Sequence, residues 1–174
     1  MNYIILALLF FLSGFFMKYS DDLYDVDHNI KFASIFGILC GLTSAIATCN
    51  YVGAVYIFIA IIIGNLIALK IDGIHHIISL IVFVLFCLIF QLPDFNLIIL
   101  IVCILAALGD EIGHETISNV SNNTFLNIFF EYRFLMKLVV FLLGIFNVID
   151  IGVFILFILF ELAYLFAGEV FKRS

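Results

Sequence analysis

Eight of the thirteen carboxylates in this chain fall into three short motifs. The first is Asp21-Asp22-Leu23-Tyr24-Asp25-Val26-Asp27. The second is Lys70-x-Asp72-x-x-His75-His76, and the third is Asp110-Glu111-Ile112-Gly113-His114-Glu115. Each sets acids three or four residues from another acid or a histidine, a spacing that gathers side chains on one side of a helix. Like charges this close repel one another unless a cation, a basic group or water lies between them. Asp21, Asp22, Asp25, Asp110, Glu111 and Glu115 are therefore candidate metal ligands; the plain alternative for the aspartate stretch is a solvated loop. Carboxylate oxygens suit Mg²⁺, which binds through one or two carboxylates plus substrate phosphates. Histidine suits zinc, iron or manganese better. With acids in the majority, Mg²⁺ is the first expectation and Mn²⁺ the second. His75 and His76 read as interfacial loop residues, and His28 lies off the aspartate face, in solvent. Arg133 and Lys137, four apart, suit a phosphate group at headgroup level. A pairing of Arg133 with Glu161 is the structural alternative.

The rest of the chain is close to continuous hydrocarbon. It is 66% apolar, 17% aromatic and 11% charged, with a mean hydropathy of +1.33. Soluble domains are about 45–50% apolar and about a quarter charged, so the expected class is a polytopic helical membrane protein. The apolar runs do not alternate with polar residues, which excludes a membrane β-barrel. Seven basic residues are too few for a nucleic-acid binder. Cys40, Cys49, Cys87 and Cys103 form no Cys-x-x-Cys and carry no expected disulfide, zinc or redox role. The first apolar segment has no basic leader and no small-residue cleavage site, so it reads as a retained helix.

A membrane helix needs about 20 mostly apolar residues, with a range of about 17–25. On that measure the chain divides into seven spans: 3–19, 32–48, 52–69, 77–90, 95–109, 124–147 and 151–169. The break inside the uncharged run falls at Thr48-Cys49-Asn50-Tyr51-Val52-Gly53, and Gln91-Leu92-Pro93-Asp94 makes a tight turn. All seven basic residues (Lys18, Lys31, Lys70, Arg133, Lys137, Lys172 and Arg173) then fall on or just inside one face. The opposite connections hold only Asp94 and Asp150. The positive-inside rule makes the basic face cytoplasmic, with the N-terminus outside and the C-terminus inside. Six spans would scatter the basic residues over both faces. With no linker or low-complexity tail, residues 1–174 read as a single domain in the cell membrane. All three acidic motifs share the cytoplasmic side.

In that order the motifs resemble those of the UbiA-type polyprenyl transferases, helical membrane enzymes with two aspartate-rich motifs and a basic motif between them. The family's first motif is Asn-Asp-x-x-Asp-x-x-x-Asp. Asp21-Asp22-Leu23-Tyr24-Asp25 matches its first half with Asp for Asn; Asn29 stands at the last Asp, with Asp27 as its substitute. For the second motif, Asp-x-x-x-Asp, this chain offers Asp110 followed by His114, and Glu111 with Glu115. Lys70 lies on the loop that carries the basic motif. The resemblance covers roughly residues 18–137. The family has nine helices and an Arg-Pro after its first motif; here there are seven spans and only Lys31. A shortened relative is implied.

The resemblance implies a Mg²⁺-dependent transferase acting on an isoprenoid diphosphate. Asp21, Asp22 and Asp25 would hold one ion, and Asp110 with Glu111 or Glu115 another. Asp22, Asp25 and Asp110 would be its catalytic carboxylates. Lys70, Arg133 and Lys137 would grip the diphosphate, and phenylalanines would line a dry cavity for an allylic cation. The second function class is a non-enzymatic membrane protein, either a divalent-cation carrier or a metal-binding accessory subunit. The spans are nearly bare of polar groups apart from Glu161 and Asn65, which counts against transport.

Overall fold

The computed structural model describes residues 1–120 and 123–173. All regular secondary structure among them is helical. In chain order the helices are α1 (Tyr3–Asp25), α2 (Ile30–Asn50), α3 (Val52–Ile67), α4 (Ile74–Phe90), α5 (Leu97–Val120), α6 (Thr124–Glu131), α7 (Phe134–Ile145) and α8 (Gly152–Phe171). Four stretches are long and apolar enough to cross a membrane: α1, α2, Leu97–Ile117 of α5, and α8. Helices α3, α4 and α7 are apolar but shorter.

Tyr51 is the one extended residue between α2 and α3, with φ −150° and ψ 120°, inside the patch where the sequence places a break. Three boundaries shift in ways that matter for the site. α1 runs on through Asp25, so Asp21, Asp22 and Asp25 sit on its last two turns. α4 begins at Ile74, which corrects the reading of His75 and His76 as loop residues: both stand in its first turn. α5 carries Asp110 to Glu115 as continuous helix, while residues 121 and 122 of that polar segment lie outside the described residues. The expected single helix over 124–147 is two helices, α6 and α7, parted at Tyr132 and Arg133. Arg133 adopts the left-handed conformation, φ 50° and ψ 54°, which ends one helix and re-aims the next.

α1 packs against α2 and α8, α2 against α4, α3 against α5, α5 against α6 and α7, and α7 against α8. Small residues set the closest crossing. A methyl group built on Gly37 would lie 2.7 Å from the carbonyl oxygen of His75, and one on Gly41 would lie 2.5 Å from that of Ser79. Two glycines four apart on α2 thus meet two residues four apart on α4, the small-xxx-small arrangement that lets membrane helices approach closely. The core is built of Leu6, Phe10, Ala45, Ala54, Ile57, Phe58, Ala60, Cys103, Val140, Phe157 and Phe160. Within α3, Val55–Ile59 form a π turn, the wide helical turn often found beside functional sites.

Candidate functional site

A cavity of about 320 Å³ lies among the helices, within the range of small-molecule sites. Residues from all three acidic motifs line it: Asp21 and Asp25 from α1, Lys70, Asp72 and His76 from the α3–α4 junction, and Asp110, Glu111 and His114 from α5. Arg133, Glu161 and Tyr164 complete its polar part, while Phe58, Ile61, Ile62, Leu80, Phe83, Phe157 and Phe160 form an apolar part. His76 and Phe83 are seven residues apart on α4, as are Tyr164 and Phe157 on α8. At 1.5 Å per residue the walls change from polar to apolar over about 10 Å. The shape fits an amphipathic molecule with a charged head and a hydrocarbon body.

The sequence-expected ligands divide into two groups. Asp22 turns away from the cavity and pairs with Lys18 at 2.9 Å, beside Gly168 of α8. Asp110 is 2% exposed and serves as a cap supplied from another helix. Its two oxygens accept the backbone N–H groups of Leu135 (2.9 Å) and Met136 (2.8 Å). These belong to the first turn of α7, where helix donors lack intrahelical partners. Glu111 is held by Arg133 at 2.8 Å and Glu115 by Lys70. Lys137 pairs with Glu161 at 3.1 Å. In place of the alternative Arg133–Glu161 pairing, the structure has Arg133–Glu111 and Lys137–Glu161.

Asp25 and Asp72 line the cavity and take part in no ion pair among the described residues. Asp21 faces two imidazoles. Its Oδ1 lies 3.3 Å from Nε2 of His75 and 3.6 Å from Nε2 of His76. His75 is 2% exposed, and its Nδ1 has no hydrogen-bond partner. Its ring lies tilted against those of Tyr24 (4.5 Å between centroids) and His76 (3.9 Å). Asn29, the residue at the family's final aspartate, caps α2 by accepting from the N–H of Phe32 at 3.3 Å. Asp27 and His28 are exposed on the α1–α2 connection.

The structure thus brings Asp21, Asp25, Lys70, Asp110, Glu111 and Arg133 to one cavity, and gives Asp22, Glu115 and Lys137 ion-pair partners. Sequence reasoning passed over His75 and His76, which α4 turns toward Asp21. The signal for them is Gly37-x-x-x-Gly41, which predicts a close crossing and hence burial of whatever α4 presents there.

No model of a known protein family, no characterised protein and no solved structure matches this chain.

Proposed function

We propose that this chain is an integral protein of the cell membrane that crosses the bilayer seven times, with the N-terminus outside and the acidic cavity on the cytoplasmic side. We further propose that the cavity is the site of a Mg²⁺-dependent transferase acting on an isoprenoid diphosphate, as the UbiA resemblance implies. The observation that supports this most is the meeting of all three polar motifs at one cavity whose other end is hydrocarbon and phenylalanine. The topology is supported by the basic residues and by the grouping of alternate connections. Tyr3, Tyr51 and Asp150 meet at one end, and the α1 terminus and the α3–α4 junction meet at the other. The shorter helices are accommodated by local thinning of the bilayer, at fractions of a kcal/mol per Å.

In this reading the residues with uncommitted oxygens, Asp25 and Asp72, would hold Mg²⁺, which when bound neutralises charge on a departing diphosphate. The oxygens of Asp110, Glu111 and Glu115 are already engaged by backbone N–H groups, Arg133 and Lys70, so these acids fit a positioning task better than a second ion. Lys70 and Arg133 are placed to bind phosphate oxygens while held by those acids. Phe58, Phe83, Phe157 and Phe160 would exclude water from the allylic carbon and turn ring faces toward positive charge.

The test is incubation of the purified full chain with Mg²⁺ and geranylgeranyl diphosphate, reading binding and pyrophosphate release. Release that is lost in Asp25→Asn/Asp72→Asn supports the proposal. Absence of both binding and release overturns it. Cysteine labelling that places residues 25 and 150 on the same face would overturn the topology. The accessory or carrier reading draws support from the Asp21–His75–His76 trio. Uptake of divalent cations by proteoliposomes, absent without the protein, would favour it, although the phenylalanine end of the cavity offers a cation no ligand.

A further inference from the structure

His75, His76 and Asp21 have a geometry that an ordinary hydrogen-bonded pair does not explain. A sound N–H···O bond spans about 2.7–3.2 Å. The distances here are 3.3 and 3.6 Å, and both imidazoles approach the same carboxylate oxygen. One ligand atom from each of the three residues lies within 4.8 Å of the others. A tetrahedral zinc site with bonds of about 2.0–2.1 Å has ligand–ligand edges of about 3.3–3.4 Å; the two edges to Asp21 are 3.3 and 3.6 Å. His75 is buried, and its Nε2 makes only a long 3.3 Å contact with Asp21 Oδ1; a buried polar atom without a good partner is costly. Both histidines stand in the first turn of α4, which fixes their rings on adjacent positions of one helix end. The backbone of α4 is fixed there by Gly37 against the His75 carbonyl.

We propose that Asp21, His75 and His76 form a three-ligand site for a borderline transition metal of the zinc class, with a fourth coordination position open to the cavity. Three protein ligands plus an open position is the arrangement of catalytic rather than structural zinc. Asp21 and His76 line the cavity, so that position faces the space where an anionic headgroup would sit. Two neutral imidazoles and one carboxylate leave a divalent ion with a net positive charge. The site selects against Mg²⁺, which prefers oxygen donors. It stands apart from the diphosphate reading: zinc binding without pyrophosphate release would leave it intact and sink only that reading.

The test uses the purified full chain in detergent, stripped of metal and titrated with Zn²⁺ against a chromophoric chelator. One equivalent should bind, resist displacement by excess Mg²⁺, and give a tetrahedral visible spectrum when Co²⁺ is substituted. Asp21→Asn and His76→Ala should each lose at least about 100-fold in affinity, beyond the roughly 10–100-fold seen on losing outer partners. His28→Ala, on the exposed connection, should lose nothing. His76→Cys should restore binding, since a thiolate also ligates zinc, and so guards against a folding defect in His76→Ala. Equal Zn²⁺ affinity in wild type and His76→Ala, displacement by Mg²⁺, or a loss in His28→Ala as large as in His76→Ala would each overturn the site.

Discussion

At one end of the bundle Asp150 ties three chain segments together; at the other, Asp21, Asp25 and Asp72 stand around a cavity. Twenty-two residues of α1 separate Tyr3 from Asp25, or roughly 33 Å at 1.5 Å per residue. Asp150 accepts from the hydroxyls of Tyr3 and Tyr51 (the latter at 3.3 Å) and from the N–H of Gly152 at 2.8 Å. Those donors hold its carboxyl below the usual range, the Tyr3 hydroxyl most of all. Burial, with Asp150 beside it, pushes the Tyr51 phenol up. Every oxygen there is spent on joining the N-terminus, the α2–α3 link and the α7–α8 link. At the cavity end the acids fall into two layers. Asp110, Glu111 and Glu115 are engaged, and they position α7, Arg133 and Lys70. Among the described residues Asp25 and Asp72 form no ion pair, and the ion-pair partners of Asp21 are the imidazoles of His75 and His76. The contrast separates acids that join chain segments from acids that do not.

That contrast can be broken or sharpened in order of effect. Gly37→Leu should act most strongly, because its side chain must displace the His75 backbone. A loss of about 3 kcal/mol, at the upper end for overpacking, is expected in detergent unfolding. Next comes Asp110→Ala, which strands two N–H groups of α7 and should cost about 2–3 kcal/mol, as for hydrogen bonds to a charged group. If Asp110 builds rather than binds, Zn²⁺ affinity in the folded fraction stays at the wild-type value.

Gly73→Ala replaces no ligand but crowds one. Its methyl group would fall 2.5 Å from Nδ1 of His75 and force that ring to shift. Zn²⁺ affinity should drop about tenfold, as on losing an outer support. The smallest effect belongs to Asp150→Asn, at a few tenths of a kcal/mol for an exposed hydrogen-bonded group. Its signature is in pH. A carboxyl held low in the folded state contributes fully above the unfolded pKa of about 3.9 and loses that contribution as pH falls through the folded value. Wild type should therefore lose stability faster than Asp150→Asn on acidification below about pH 4. Parallel curves would mean that Asp150 joins nothing.

Composition alone carried the helical class, and the turn at Tyr51 was legible because Thr48 to Gly53 is the polar patch in an uncharged run. The convergence of the acids was legible through the parity of the spans. The split between α6 and α7 was not, since Tyr132-Arg133 carries no glycine or proline. The break is held from outside by Asp110, which lies 25 residues from the N–H of Leu135. The role of Asp110 was hidden for the same reason: a carboxylate that caps a distant helix has the same local spacing as one that binds a metal. His75 and His76 looked like loop residues because a polar pair flanking an apolar run resembles an interface. Their burial depends on Gly37 and Gly41, whose effect is exerted across two helices.

The π turn at Val55–Ile59 ties the cavity to a count of residues. One residue turns an α-helix by about 100°, and a π turn takes up an extra residue within the helix. Deleting a single residue from this tract would let it relax to α geometry and rotate the following turns by about that angle. Ile61, Ile62 and Asn65, which line the cavity, would then point elsewhere, and Tyr56 would lose its register with the N–H of Asn96, 2.9 Å away. Chain length here is itself a structural parameter: an in-frame loss of one apolar residue, invisible to composition or hydropathy, would reshape the chamber more than most substitutions of its walls.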